Sequence, residues 1–398
     1  VKITKGKIAD IEFLRGFGVV FVLLGHTNGS LIPWSSPLLE NSALQHFYYY
    51  FRGASGVDLF FVISGFVITR DLHPRLVACS NLRSFTNVSL AFWIRRIWRI
   101  FPTAWFSLAI ILLAAAFFNR SGIFHPFKTN LDGTIAAVFQ YYNYHLALCY
   151  KHYDCGANFY YWTLSLEEQF YLLLPFSILY LRKWLPYVLA CLIVTQIFFP
   201  NRSIMMTVFR TDAILLGVMI ALWSRSISYR VFESRFLANS RWLRITFLVG
   251  LYSTMAVDNR IAEGTLAPFN YGILALICGA FVLIGSYDKN YLFPQCKFKR
   301  LIMWLGSRSC SLYMVHIPAY YFVQEAWFRI VPKGTLYEVT YTIPFILSGI
   351  GMVFLLGELS YRLVESPSRR KGTQISTRFL QKRISEQTID QPAAGSSR

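Results

Sequence analysis

Charge is scarce in this 398-residue chain, and acidic charge is scarcer still: 15% of residues are charged, with 20 Asp and Glu against 39 Lys and Arg. With 55% hydrophobic residues and a mean hydropathy of +0.42, too little polar surface is left to cover a soluble protein of this length. The seven cysteines are scattered, with no CxxC pair and no His/Cys spacing suited to a metal. Cys79, Cys191, Cys278, Cys296 and Cys310 therefore read as inert, and no metal is expected. There is no GxSxG elbow and no Walker-type loop, which excludes the usual serine-hydrolase and P-loop chemistries. No cleavable signal is expected in the first apolar stretch, because Asp10, Glu12 and Arg15 interrupt it and no small-residue cleavage site follows. That first stretch is expected to stay as an anchor.

What the chain does have is a series of apolar runs approaching the roughly 20 residues that cross a bilayer as a helix. Hydropathy and charge together mark ten spans, at about 11–31, 47–69, 97–118, 159–181, 185–200, 203–223, 243–257, 266–286, 302–323 and 339–362. The sequence thus predicts an all-α polytopic membrane protein of about ten transmembrane helices with both termini cytoplasmic. Segments 1–10, 70–99, 182–184, 224–244 and 287–301 hold 3, 6, 2, 5 and 4 Lys or Arg, the tail seven more, and the outer loops seven in total. Short basic clusters between apolar runs fit orientation and anionic lipid, not nucleic acid. An eleventh candidate, 131–148, would put every later basic loop outside, so it is expected to be re-entrant or to lie on the surface. Cys149 and Cys155 then share the outer compartment, where a disulfide is permitted. From Ser366 the chain turns polar, so residues 1–365 read as one membrane domain and 366–398 as a disordered cytoplasmic tail.

Ionisable residues inside the spans carry the functional signal, since a charge in lipid is costly unless it lines a cavity or meets a partner. Arg15 and His26 stand eleven residues apart in the first span. Eleven helical steps return to within roughly 20° of the start and climb roughly 16 Å, which places both on one face. GVDLFFVISGF buries Asp58 and Ser64, and WTLSLEEQFYLLLP buries Glu167 and Glu168. Adjacent glutamates point about 100° apart, so at most one of them faces a shared cavity. His26, Asp58 and Glu167 are expected at similar depth, and a histidine beside a carboxylate is equipped to move a proton. In AFWIRRIWRIFPTAWF, Arg96 and Arg99 are three apart on one face, a spacing suited to gripping phosphate. A phosphorylated cofactor with a flexible arm, such as coenzyme A, fits arginines at the inner surface and a histidine deeper in.

From about Ile8 to Arg370 the chain resembles acyltransferase family 3, integral membrane O-acyltransferases of surface and secreted carbohydrates and some small molecules. The resemblance rests on seven ordered motifs: EFLRG with its following histidine, GVDLFFVISGF, RRIWRIFP, YWTLSLEEQFYLLLP, RTDAILLG, LGSRSCSLYMVHIP and ELSYRLVESP. It implies acyl transfer from acyl-CoA, acetyl-CoA foremost, to a hydroxyl of a carbohydrate or glycolipid. His26 would act as general base or acyl carrier, Arg15, Arg96 and Arg99 would hold the donor phosphates, and Glu167 would orient or charge-balance the site. The later motifs fall on Arg210, Tyr313, His316 and Glu365. His316 lies nearer the outer face, with core packing and acceptor contact both open. His46, His73, His125, His145 and His152 fall in or near loops and read as surface residues.

The chain departs from the family pattern at Glu12, where aspartate is common, and at Cys310, where tyrosine is common; both changes look tolerable. The HxxxxD motif of soluble glycerolipid acyltransferases is absent. Some members of the family carry a fused extracytoplasmic hydrolase-like domain, and nothing after the last span here reads as one. Either this chain completes the transfer or a separate extracytoplasmic transferase does. The expected setting is the lipid bilayer of a bacterial inner membrane. A proton-coupled transporter or flippase with the same buried charges, and a non-catalytic membrane subunit, are the alternatives the sequence leaves open.

Overall fold

The computed structural model describes residues 8–30, 53–150, 152–233, 235, 237, 240–256, 267–331 and 339–389, and all regular structure among them is helical. The helices are α1 (Ala9–Ser30), α2 (Ala54–Val77), α3 (Leu82–Phe117), α4 (Phe127–Val138), α5 (Tyr142–Cys149), α6 (Trp162–Leu181), α7 (Leu185–Ile197) and α8 (Ile204–Val208). They continue with α9 (Asp212–Trp223), α10 (Ile227–Val231), α11 (Arg241–Ala256), α12 (Asn270–Ser286), α13 (Lys297–Ser307), α14 (Ser309–Ile330), α15 (Val339–Ser360) and α16 (Ser366–Ile389). Among the described residues, four helical stretches are long and apolar enough to cross a membrane, Leu82–Phe117, Phe159–Ile197, Ile204–Trp223 and Ile343–Arg383, and α12 is a shorter apolar helix. Several such helices in one chain fit an integral multi-pass membrane protein.

Three of the segments that charge assigns to one side meet: the start of α1, the stretch around Glu233 and the stretch 288–299. Asp288 Oδ1 accepts the backbone N–H groups of Ala9 and Asp10 at 2.7 and 3.3 Å, which satisfies orphan donors at the start of α1. Lys299 of α13 forms a buried ion pair with Asp10. Glu233 pairs with Lys289 and accepts from Tyr291 OH at 2.7 Å, and these partners hold its carboxyl down at about 2. Elsewhere, Glu325 accepts the N–H groups of Arg120 and Ser121 at 2.8 and 2.9 Å. Cys149 and Cys155 form a disulfide.

Three stretches differ from the pattern the sequence suggests, and a fourth, 131–148, is divided into pieces too short to cross a bilayer, in keeping with it. Segment 131–148 falls on two short helices of 12 and 8 residues, parted at Gln140, whose φ is 60°; Asn143 and Gln169 lock the second against α6 at 2.9 and 3.1 Å. The run 203–223 breaks at Phe209–Thr211, where Gln196 Oε1 accepts from the N–H groups of Thr211 and Asp212 at 2.8 and 3.2 Å and so caps α9. The helix expected from residue 97 starts at Leu82, where Asn81 caps it by accepting from Ser84 N at 2.8 Å. Its 36 residues reach about 54 Å, well beyond the roughly 30 Å of a hydrocarbon core, so its polar half stands clear of lipid. The polar tail is helical from Ser366 to Ile389 and packs along that same half of α3, with Ser376 buried.

Close packing of α2 on α9 depends on glycine. A Cβ on Gly65 would collide with the Ile214 carbonyl, and one on Gly217 with that of Val62, so the two backbones approach as only small residues permit. This contact fixes α2, whose other side presents Ser64 to an interior cavity.

Candidate active site

A cavity of about 110 Å³ lies where α1, α2, α3, α6 and α14 converge, and Arg15, Ser64, Arg96, Arg99, Glu167 and Tyr313 all line it. At roughly 10–15 Å³ per water, it has room for several waters or a small polar group. Helical geometry sorts the residues that reach it. Arg96 and Arg99 share one face of α3; Glu167 faces the cavity while Glu168, one step on, does not line it.

Tyr171, which the sequence reading did not single out, ties the cavity together. Its hydroxyl donates to Glu167 Oε2 at 2.9 Å, so Ser64 Oγ, 2.5 Å away, donates to it in turn. Tyr171 follows Glu167 by four residues, the spacing of neighbours on one helical face, and that spacing was the signal available. The Tyr171 ring also faces the Arg96 guanidinium at 5.7 Å, with Phe92 at 5.5 Å. Tyr313 is fixed by Thr163 Oγ1 at 2.7 Å and donates to the Tyr160 carbonyl at 3.3 Å.

Three guanidiniums around the cavity face one lining carboxylate, and the buried Nε of Arg96 has no hydrogen-bond partner among the described residues. An unsatisfied buried donor is costly, so a site of this kind is completed by an anion with several acceptor oxygens. The lining therefore fits a phosphate group.

His26 is not among the cavity's lining residues, and its expected carboxylate neighbour is not there: Glu167 bonds Tyr171, while His26 meets His316. The heavy atoms fix the protons of this pair. His316 Nδ1 lies 2.5 Å from the Tyr313 carbonyl, which only accepts, so Nδ1 carries the hydrogen and Nε2 is the acceptor. His26 Nδ1 faces two acceptors, the Val22 carbonyl at 3.0 Å and His316 Nε2 at 3.2 Å, and carries its hydrogen there. In the neutral pair His26 Nε2 is left with a lone pair. His316 is fully buried, and His26 is partly exposed. Because Tyr313 lines the cavity and hands its carbonyl to His316, the histidine pair adjoins the cavity through α14.

Asp58 and Arg210, both candidates from the sequence, are brought together away from the cavity. Arg210 donates to Asp58 Oδ1 at 3.0 Å, with Trp162 and Tyr271 rings 5.3 and 4.7 Å from its guanidinium. The break between α8 and α9 is what frees Arg210 to reach α2. Glu365 is buried in a π-helical turn and accepts from Ser311 N and Oγ at 3.2 and 2.6 Å, placing negative charge at the start of α14. His46 lies outside the described residues.

The family model described as an acyltransferase domain matches residues 8–361. The O-acetyltransferase OatA of Staphylococcus aureus is 25% identical over 415 residues, covering 95% of this chain and 60% of that protein. The peptidoglycan O-acetyltransferase OatA of Listeria monocytogenes is 25% identical over 396 residues, with 92% and 56% covered. The putative peptidoglycan O-acetyltransferase YrhL of Bacillus subtilis is 26% identical over 414 residues, with 95% and 58% covered. The chain thus spans less than two thirds of the length of these relatives. No solved structure matches it.

Proposed function

The chain belongs to acyltransferase family 3, and from that premise we propose that it transfers an acetyl group from acetyl-CoA to a hydroxyl of a cell-surface carbohydrate or glycolipid. The observation that carries this reading is the gathering of Arg15, Arg96 and Arg99 around one cavity that adjoins a histidine pair. Arg96 and Arg99 supply forked donors for the donor's phosphates, Arg15 adds a third positive charge, and Glu167, held by Tyr171, balances them. The thioester of the donor supplies the activated acyl carbon. His26 Nε2 takes the proton of the acceptor hydroxyl as its oxygen bonds that carbon; the carbon–sulfur bond breaks, and the imidazolium returns the proton to the departing thiolate. His316 holds the His26 ring in the tautomer this requires. The same free nitrogen suits the covalent variant, in which His26 carries the acyl group before the hydroxyl takes it.

Two of the relatives are named for peptidoglycan, so a glycan of the cell envelope is the acceptor class for this chain. The setting in this reading is the bacterial inner membrane, crossed about ten times with both termini in the cytoplasm. An extracytoplasmic transferase acting after the membrane step is the protein partner that it allows. Mass spectrometry of envelope glycans from a strain lacking the gene should show the loss of O-acetyl groups from one of them. Unchanged acetylation together with altered export of a glycan precursor would favour a transporter instead.

Arg96→Lys and Arg99→Lys keep the charge and lose the fork. Each is expected to raise the KM for acetyl-CoA about tenfold, near the worth of one charge-assisted hydrogen bond, with kcat less affected. Steady-state kinetics on purified protein checks this; unchanged KM in both variants would return these arginines to membrane orientation.

A further inference from the structure

The helix α16 lies beyond the stretch matched by the family model. It carries six Lys or Arg, namely Arg369, Arg370, Lys371, Arg378, Lys382 and Arg383, against a single acidic residue, Glu386. Two contacts fix its first turns. One turn before Arg369, Glu365 bonds Ser311, next to the cavity-lining Ser309 and Cys310. Three residues after Arg369, Gly372 packs so closely on Trp98 that a Cβ would collide with it, and Lys371 Nζ lies 5.0 Å over that indole. Trp98 is the neighbour of Arg99. Arg369 is therefore bracketed between the Ser309–Cys310 turn and the α3 turn that bears Arg99.

Arg369 is partly buried and has no ion-pair partner within 4.0 Å among the described residues. Along α14 the cavity runs from Cys310 toward His316, a rise of about 9 Å, so Arg369 stands at the end opposite the histidines. An extended donor whose reactive end lies near the histidines has its nucleotide end there.

We propose that Arg369 is a fourth arginine of the donor site, binding a phosphate at the nucleotide end of the acyl donor while Arg15, Arg96 and Arg99 hold the part within the cavity. This rests on the donor reading above. The polar segment 366–389 is then a working part of the site, held against α3 so that a cation stands beside the Cys310 end of the cavity.

Binding of coenzyme A and of 4′-phosphopantetheine, which lacks the nucleotide, tests it on the purified full chain in detergent. R369A should lose about 10–100-fold in affinity for coenzyme A, as expected for a hydrogen-bonded charge removed, and none for 4′-phosphopantetheine. R369K should recover part of the loss. Unchanged affinity for coenzyme A, or an equal loss for both probes, would overturn the assignment while leaving the donor reading in place. A wild-type protein that binds neither probe would overturn the donor reading, and this proposal with it.

Discussion

His26→Ala is expected to lower acyl transfer by about 10²–10⁴-fold, the usual cost of removing a general base, while membrane insertion and abundance should stay at the wild-type level. The size follows from the tautomer: His26 Nδ1–H is committed to Val22 and His316, so Nε2 is the lone pair at this junction available to an acceptor hydroxyl. The intact fold follows from the packing. His26 is only partly buried, and without it His316 keeps its bond to the Tyr313 carbonyl. Quantitative blotting of membranes alongside the transfer assay separates the two effects. An active, normally expressed His26→Ala protein would remove His26 from the chemistry.

Lys299→Met is expected to destabilise the protein by about 3–5 kcal/mol, because taking away one member of a buried ion pair strands the other charge. Lys299 and Asp10 are both fully buried, and Lys299 also donates to Asn290 Oδ1 and the Phe293 carbonyl at 2.9 and 3.0 Å. Asp10 opens α1, the helix that carries Arg15 and His26, so activity should fall with stability. Adding Asp10→Leu removes the stranded charge and should restore most of the loss, since apolar replacement of a buried pair is often neutral. Thermal unfolding in detergent reads both variants; a double variant no more stable than Lys299→Met alone would show that the charge is not the cause.

Much of the site was legible because it obeys helical periodicity. The spacing of Arg96 and Arg99, and the turn separating Glu167 from Glu168, are properties of single helices, and the cavity lining agrees with both. Contacts between distant segments were not legible in the same way. His26 meets His316 across 290 residues, and Asp58 meets Arg210 across 152; no local period encodes either. The helix at Ser366–Ile389 was not legible for a related reason. Segment 366–389 has no apolar face by which to announce a helix, and its order comes from Gly372 against Trp98 and from continuity with α15 through the π-helical turn. The run 203–223 looks continuous because composition is blind to a cap, and Gln196 of α7 starts a new helix at Asp212.

Release of free thiol from acetyl-CoA by the purified protein, with a soluble envelope glycan as acceptor, tests the central claim most directly. The arginine cavity and the histidine pair predict thiol release matched by new acetyl esters on the glycan, both lost in His26→Ala. Acetyl-CoA left intact by wild-type protein, at the background set by His26→Ala, would contradict it.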